Sequence, residues 1–239
     1  MVDIHTHVLA NMDDGASSYE ESLQMIKMME LSGIKNVVAT SHFDVSKQDI
    51  EEFLLKRSES LNATRQILVD QNINVTLLSG CELMFTPQLA HVDLAPFTIE
   101  NTDYVLIELS TRYDNPSLLQ TFELIIGNGF IPILAHVERY SYLISDSSRI
   151  VELINLGVLM QVNVKSIDNE KYPYIKSMFK NNLIHLIASD AHNMKNRAPN
   201  LRKELVSESI YKNMNAVISN RLIEINQPSK LKKIFGKYI

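Results

Sequence analysis

Two hydrophobic rhythms alternate along the chain. Short apolar runs rich in β-branched residues, each bounded by polar ones, occur at 2–8 (VDIHTHV), 36–42 (NVVATSH), 74–83 (NVTLLSGCEL), 104–110 (YVLIELS), 131–137 (IPILAHV), 159–163 (LMQVN) and 184–192 (IHLIASDAH). Near-continuous runs of this length predict buried strands. The longer stretches between them carry helical spacing. In SYEESLQMIKMMELSG (18–33), Leu23, Ile26, Met28 and Met29 form an apolar stripe. Ser18 with Glu21 reads there as a capping box, and Gly33 as the stop. Further helices are predicted over Ile50 to Gln71, Pro116 to Gly127, Ser148 to Gly157, Tyr172 to Asn182, and from Leu201 to about Ile225.

Seven strands, each followed by a helix, predict parallel neighbours joined by right-handed crossovers. Such a series closes either as an open doubly wound sheet or as a barrel, and apolar strands suit both. The ionisable residues favour the barrel. Six of the seven runs carry His, Glu or Asp at or near their C-terminal ends, and the sixth ends in Asn163. A closed ring gathers those ends at one mouth, where barrels of this kind place their chemistry, whereas an open sheet spreads them out. The expected fold class is therefore α/β, a distorted TIM-like (β/α)7 barrel, in one domain spanning 1–239.

Composition narrows the function. The chain has 239 residues, 45% hydrophobic and 21% charged, with only seven glycines and seven prolines, which argues against disorder and low-complexity tails. A net charge of −5 lacks the basic excess that nucleic-acid binders use to neutralise phosphates, so no nucleic-acid partner is expected. Cys81 stands alone, so neither a disulfide framework nor a cysteine zinc site is available, and a reducing compartment fits. No apolar run reaches the roughly 18 residues of a membrane span, and the opening VDIHTHV has no charged-then-apolar leader. The expectation is a cytoplasmic protein without direct membrane insertion.

The strand-end residues form a recognisable ligand inventory: His5, His7, Asp14, His42, Glu82, Glu108, His136, Asp190 and His192. His5 and His7 are two apart on the first strand, as Asp190 and His192 are on the last, so each pair should face one side. First and last strands are neighbours in a ring, so the two pairs should meet. Five imidazoles and four carboxylates facing one cavity would be costly without bound cations. Nine ligands exceed the four to six that one transition-metal ion takes, so two or three ions sharing carboxylates are expected. Three would leave a net positive host for a phosphate dianion.

The stretches DIHTHVLANMDDG (3–15), TSHF (40–43), GCEL (80–83), LIELS (106–110), PILAHVERY (132–140), QVN (161–163) and IASDAHN (187–193) resemble, in order, the polymerase and histidinol phosphatase (PHP) superfamily of metal-dependent phosphoesterases. DDG and HVERY point most closely to the CpsB/YwqE-type bacterial protein-tyrosine phosphatases of capsule and exopolysaccharide systems. The resemblance implies a PHP-type barrel with three divalent ions, manganese or iron ahead of zinc. It places His5, His7, Glu82 and Asp190 on one ion, Glu82 as a bridge with Glu108 and His136 on the second, and Asp14, His42 and His192 on the third. It implies that Arg139 and Arg197 clamp phosphate, a task suited to a bidentate guanidinium. It also implies hydrolysis by water without a phosphoenzyme, and as partner the phosphotyrosine-containing tail of a bacterial tyrosine kinase. Where some relatives carry basic residues after the second-strand histidine, this chain has FDVSKQD, so the short loop from Phe43 to Asp49 bears on peptide preference. Two readings stay open beside the tyrosine phosphatase. One is a small-molecule phosphoesterase such as a histidinol phosphatase; the other is a metal-binding regulatory module without turnover.

Other chemistry-bearing residues read as support. Cys81 should face away from Glu82 as a small buried hydrophobe, and a cysteine-dependent phosphatase would need arginine where Pro87 stands. His185, an odd five positions before Asp190, should point outward, and His91 falls in a loop. Asp3 should sit beneath His5 in a supporting role, Asp13 reads as a cap, and Glu138 has no clear assignment. Arg112 and Tyr113 follow the fourth strand into a loop. The basic segment KLKKIFGKY (230–238) reads as a solvated helix face.

Overall fold

The computed structural model describes residues 1–223. The predicted end of the last helix at Ile225 and the segment 230–238 lie outside the described residues.

Nine assigned strands form the core: β1 (Val2–Thr6), β2 (Asn36–Ala39), β3 (His42–Phe43), β4 (Thr76–Ser79), β5 (Glu82–Met84), β6 (Tyr104–Glu108), β7 (Ile131–Leu134), β8 (Leu159–Asn163) and β9 (Leu186–Ala188). Only seven chain passages are involved, because β2 runs into β3 and β4 into β5 across two-residue breaks at Thr40–Ser41 and Gly80–Cys81. The break at Gly80 is a close approach: an added Cβ would lie 2.8 Å from Val38 Cγ1 and 3.2 Å from Thr40 Cγ2.

Every pairing is parallel. β1, β2 and β4 form one sheet, and β3, β5, β6, β7, β8 and β9 the other. The two sheets are continuous through the broken strands. The remaining gap is closed by a parallel bridge between Thr6 and Ala191, with His7 N–H donating to Ala191 O at 2.8 Å and Asp190 N–H to His5 O at 3.0 Å. Pairing thus returns to its start, which is the distorted seven-passage barrel the strand count predicts.

Seven helices surround the ring: α1 (Tyr19–Leu31), α2 (Ile50–Asp70), α3 (Leu118–Gly127), α4 (Ser141–Ser145), α5 (Ser147–Leu156), α6 (Ile175–Lys180) and α7 (Glu208–Ile218). Four of their starts, those of α1, α2, α5 and α7, carry a side-chain cap. Ser18 Oγ accepts from Glu21 N–H, Asp49 from Glu52 N–H and Ser207 from Ile210 N–H. The reciprocal half of the predicted capping box is displaced, because Glu21 accepts from Ser17 N–H and Oγ–H instead of from Ser18. The stretch from Leu118 to Leu134 illustrates the packing logic: α3 buries Leu118, Phe122 and Ile125, and the chain then returns directly as β7. The apolar core is continuous across the strands and the inner helix faces.

Several predicted boundaries change. Strands β1, β7 and β9 stop at Thr6, Leu134 and Ala188, so His7, His136, Asp190 and His192 lie beyond strand ends. The sequence-based pairing of Asp190 with His192 by strand alternation is therefore replaced by loop geometry. The helix predicted from Tyr172 is shorter, and that from Leu201 begins only at Glu208. The short α4 has no counterpart in the hydrophobic pattern.

Candidate metal centre at the strand C-terminal ends

All nine predicted ligand positions converge on the mouth of the ring. His5 Nε2 lies 3.3 Å from His7 Nε2, 3.0 Å from Glu82 Oε2 and 3.5 Å from Asp190 Oδ1. His136 Nε2 lies 2.8 Å from Glu82 Oε1 and 3.7 Å from Glu108 Oε2. His42 turns Nδ1 to Glu108 at 3.0 Å and to Glu82 at 3.2 Å, while its Nε2 is 3.5 Å from Asp14 Oδ1, which also stands 3.3 Å from His192 Nε2. Three groupings have all donor atoms within 4.8 Å of one another: His5, His7, Glu82, Asp190; His7, Asp14, His42, His192; and His42, Glu82, Glu108. Glu82 sits at the centre, touching four histidines.

These contacts do not satisfy the groups by hydrogen bonding. Buried Glu82 Oε2, His42 Nδ1 and His192 Nε2 have close neighbours but no hydrogen bond of acceptable geometry. Crowded nitrogen and carboxylate donors in that state fit cations between them, and native proteins rarely leave such atoms orphaned otherwise. The outward ring nitrogens support the same fit. Nδ1 of His5 meets Gln161 Oε1 at 3.2 Å, that of His7 meets Asp13 Oδ2 at 2.7 Å, that of His136 meets Tyr140 Oη at 3.1 Å, and that of His192 meets Asp190 O at 3.0 Å. Four rings thereby present Nε2 inward, as histidine ligands do when a partner holds the other nitrogen.

The charge pattern is strongly coupled. Burial opposes a charge on His5, but Glu82 and Asp190 outweigh it and lift its pKa to about 9. At His42 burial is likewise overcome, by the Glu108 contact and the Glu82 charge, and the pKa rises to about 10. Glu82 is held well below the usual carboxylate range because the surrounding histidines outweigh its burial. His192 goes the other way, down to about 2, through burial and the neighbouring His7. Opposite charges are thus gathered in a site where an unpaired one would be expensive.

Backbone constraints explain the local motifs. Gly15, the last residue of DDG, packs so tightly that an added Cβ would lie 2.3 Å from His7 O and 2.5 Å from His7 Cβ. Asp13 accepts from Gly15 N–H at 2.9 Å and His42 N–H at 2.8 Å, so it fastens the loop and also orients His7. His136 (φ 31°) and Asp190 (φ 53°) adopt left-handed backbone, a conformation costing about 1–3 kcal/mol that persists where surroundings enforce it.

Both predicted arginines stand at the rim. Arg139 Nη2 donates to Asp190 Oδ2 at 2.5 Å; Arg197 donates from Nη2 to Asp190 Oδ1 at 2.9 Å and from Nη1 to Asp14 Oδ2 at 3.3 Å. Each side chain is about one-third exposed, so the guanidiniums border solvent as well as the cluster.

The supporting residues divide. Asp3 is fully buried and accepts from Ser189 N–H at 3.1 Å, with burial raising its pKa to about 6 despite that bond. Glu138, unassigned from sequence, is buried and accepts from Asn163 N–H at 3.2 Å. Cys81 is buried with Sγ 3.3 Å from Ser41 O, and burial pushes its thiol pKa well up, which removes it as a nucleophile. His185 is buried away from the cluster and accepts from Met160 N–H; His91 ends a surface turn. Tyr113 is exposed, as is Arg112 beside it. Sequence reasoning missed Tyr140, Gln161 and Asn163 as partners of the candidate ligands His136, His5 and Asp190. The HVERY and QVN stretches contain them, but neutral amides and phenols are too common for their type alone to mark a site.

A parallel barrel whose mouth gathers shared carboxylates, inward imidazoles and two guanidiniums defines the class as a metal-dependent barrel hydrolase. Within that class, residues 1–232 match the family model described as capsular polysaccharide synthesis, CpsB/CapC, and the chain belongs to that family. Among its relatives, the tyrosine-protein phosphatase YwqE of Bacillus subtilis is 29% identical over 99% of both chains. The tyrosine-protein phosphatase CpsB of Streptococcus agalactiae is 28% identical over 93% of this chain and 100% of its own length. A solved structure from the pair YwqE of Bacillus subtilis and CpsB of Streptococcus pneumoniae, described as metal-dependent tyrosine phosphatases, superimposes with a TM-score of 0.88 at 27% identity, over 98% of this chain and 100% of that one. The histidinol phosphate phosphatase of Lactococcus lactis shares the fold, with a TM-score of 0.52 at 14% identity over 92% of this chain and 94% of its own.

Proposed function

We propose that the chain is a metal-dependent protein-tyrosine phosphatase acting on the phosphotyrosine-containing tail of a bacterial tyrosine kinase that regulates capsule or exopolysaccharide synthesis. One observation carries the reading: imidazoles, carboxylates and two guanidiniums share a single mouth, in a chain matched from end to end by tyrosine phosphatases. The working unit is one domain, placed in the cytoplasm. The lone buried Cys81 suits a reducing compartment, and no helix among the described residues is long and apolar enough to cross a membrane.

Three divalent ions are the proposed complement, with manganese or iron ahead of zinc. His5, His7, Glu82 and Asp190 would hold one, Glu82, Glu108 and His136 the second, and Asp14, His42 and His192 the third. Bound there, the ions would supply charge that activates water and neutralises phosphoryl oxygens. The chain's own part is to bind and orient. A guanidinium has five donors, so Arg139 and Arg197 can take phosphate oxygens without releasing Asp190. The leaving phenol has an ordinary pKa of about 10 and departs with less protonation help than an alkyl alcohol needs.

The decisive experiment measures bound metal in the purified protein alongside turnover of a phosphotyrosyl peptide, with and without a chelator. Turnover should vanish on chelation and return with manganese. Unchanged turnover in the metal-stripped protein would overturn the reading.

A further inference from the structure

Strand β8 is the one passage of the ring that brings no imidazole or carboxylate to the mouth, yet its two polar side chains, Gln161 and Asn163, are both buried there. They form a chain of hydrogen bonds whose direction is fixed. A carboxylate only accepts, so the Asn163 Nδ2 group 2.7 Å from Asp190 Oδ2 must be the donor. That leaves Asn163 Oδ1 facing Gln161, which must in turn donate its Nε2–H, at 2.9 Å. Gln161 Oε1 then faces the other way, where it accepts the His136 backbone N–H at 2.9 Å and lies 3.2 Å from His5 Nδ1. With an ion bound, the acceptor at Nδ1 would hold the single ring proton of His5 on that nitrogen and leave Nε2 free as the ligand atom.

The residues held in this way are the strained ones. Among the described residues, seven non-glycine residues have positive φ, and five are asparagines. The other two are His136 and Asp190. One amide of β8 holds the backbone of the first, and the other holds the carboxylate of the second.

We infer that Gln161 and Asn163 are positioning residues: a polarised amide relay that sets the His5 tautomer and keeps His136 and Asp190 in their left-handed turns, so that the donors of two proposed ion sites share one geometry. The inference rests on the proposed metal centre and assigns a role to the only passage without a ligand. Neither amide is a proposed ligand or phosphate clamp, so the effect should appear in metal binding before it appears in turnover.

Gln161→Leu removes both the acceptor and the donor at nearly constant volume, whereas Gln161→Glu gives up the donor to Asn163 Oδ1 but keeps an acceptor for His136 N–H and His5 Nδ1–H, so the pair isolates the acceptor end of the relay. Manganese affinity by calorimetry, metal content by elemental analysis, and the thermal midpoint of each metal-stripped form are the readouts. Gln161→Leu should weaken manganese binding by about 10- to 100-fold, the usual effect of losing a group that supports a ligand. Gln161→Glu should recover most of that loss, with the metal-stripped midpoints little changed. Manganese affinity in Gln161→Leu equal to that of the unaltered protein overturns the relay, as does an equal loss in the Leu and Glu variants. Should Gln161→Leu fail to fold, Asn163→Ala reads the relay from its other end, where unchanged affinity counts against it in the same way. An unaltered protein that binds no manganese sinks the metal-centre reading itself; binding matched by the variants sinks only the relay.

Discussion

The two ends of the strand ring treat histidine in opposite ways. At the mouth, His5 and His42 are surrounded by carboxylates, and their pKa values rise to about 9 and about 10 although burial works against them. At the other end His185, just before β9, is buried and has no carboxylate partner among the described residues; its Nδ1 accepts from Met160 N–H at 2.9 Å, and burial lowers its pKa to about 4. The same side chain thus serves as a charged, crowded donor in one place and as a neutral hydrogen-bond acceptor in the other. Burial is common to both ends; the company of Glu82, Glu108 and Asp190 is what separates them. A buried histidine is consequently weak support for a metal site, whereas several that share buried carboxylates are strong support.

Substituting Glu82 should break the contrast most completely. Glu82→Gln removes the central charge facing His5, His7, His42 and His136, and one proposed bridge between two ions. Phosphotyrosyl-peptide turnover should fall by at least about 100-fold and metal content should drop, because a lost ligand weakens both binding and Lewis-acid catalysis. Full metal content with intact turnover would show that the cluster is organised by hydrogen bonds alone.

The next effect separates the rim from the centre. Arg139→Ala removes a donor to Asp190 but no proposed ligand, so kcat should fall by about 10²- to 10³-fold, as when one donor to developing negative charge is lost, with bound metal unchanged. Elemental analysis beside steady-state kinetics decides. Metal lost along with activity would make the arginine a brace for Asp190 and leave phosphate binding to Arg197.

The smallest effect concerns the opposite end and tests it alone. In the unfolded chain His185 titrates near its ordinary value of about 6.5, whereas in the folded protein it does so at about 4. Between these values the unfolded chain takes up a proton that the folded chain refuses, so stability declines as pH falls, by up to about 1.4 kcal/mol per pH unit. Above the unfolded value the contribution to pH dependence disappears. His185→Asn keeps an acceptor for Met160 N–H but cannot charge. Urea denaturation of the metal-stripped proteins at about pH 7, 6 and 5 should therefore show a shallower acid slope in the variant. Parallel slopes would mean that His185 is protonated in place and that the two ends differ less than the geometry indicates.

Much of this architecture was legible before any coordinates. The strand β8 matches its apolar run end to end, and α2 begins at Ile50 as the pattern requires, because burial on both faces leaves an unmistakable apolar run and an amphipathic stripe leaves a period. The convergence of the candidate ligand positions was legible because imidazoles and carboxylates recur at one end of successive strands. Other features were not. Breaks at Thr40–Ser41 and Gly80–Cys81 split two strands that read as single runs, and the close approach of Gly80 to Val38 and Thr40 on a neighbouring passage is not visible in a local stretch. His136, Asp190 and His192 were read as strand residues, but they lie past the strand ends in turns whose dihedral angles no local pattern announces.

Taken by itself, the sequence determined the order of strands and helices, the parallel closure they favour and the inventory of donors, since these follow from local periodicity and residue chemistry. Only the tertiary structure decided which nitrogen each histidine presents, that Glu82 occupies the centre, that both arginines meet on Asp190, and that the amides of Gln161 and Asn163 run from Asp190 to His5. The reason is physical. The contacts of Gln161 with His5 and with His136 N–H, and of Asn163 with Asp190, bring groups 25 to 156 residues apart in the chain within about 3 Å, and nothing in a local stretch specifies that distance.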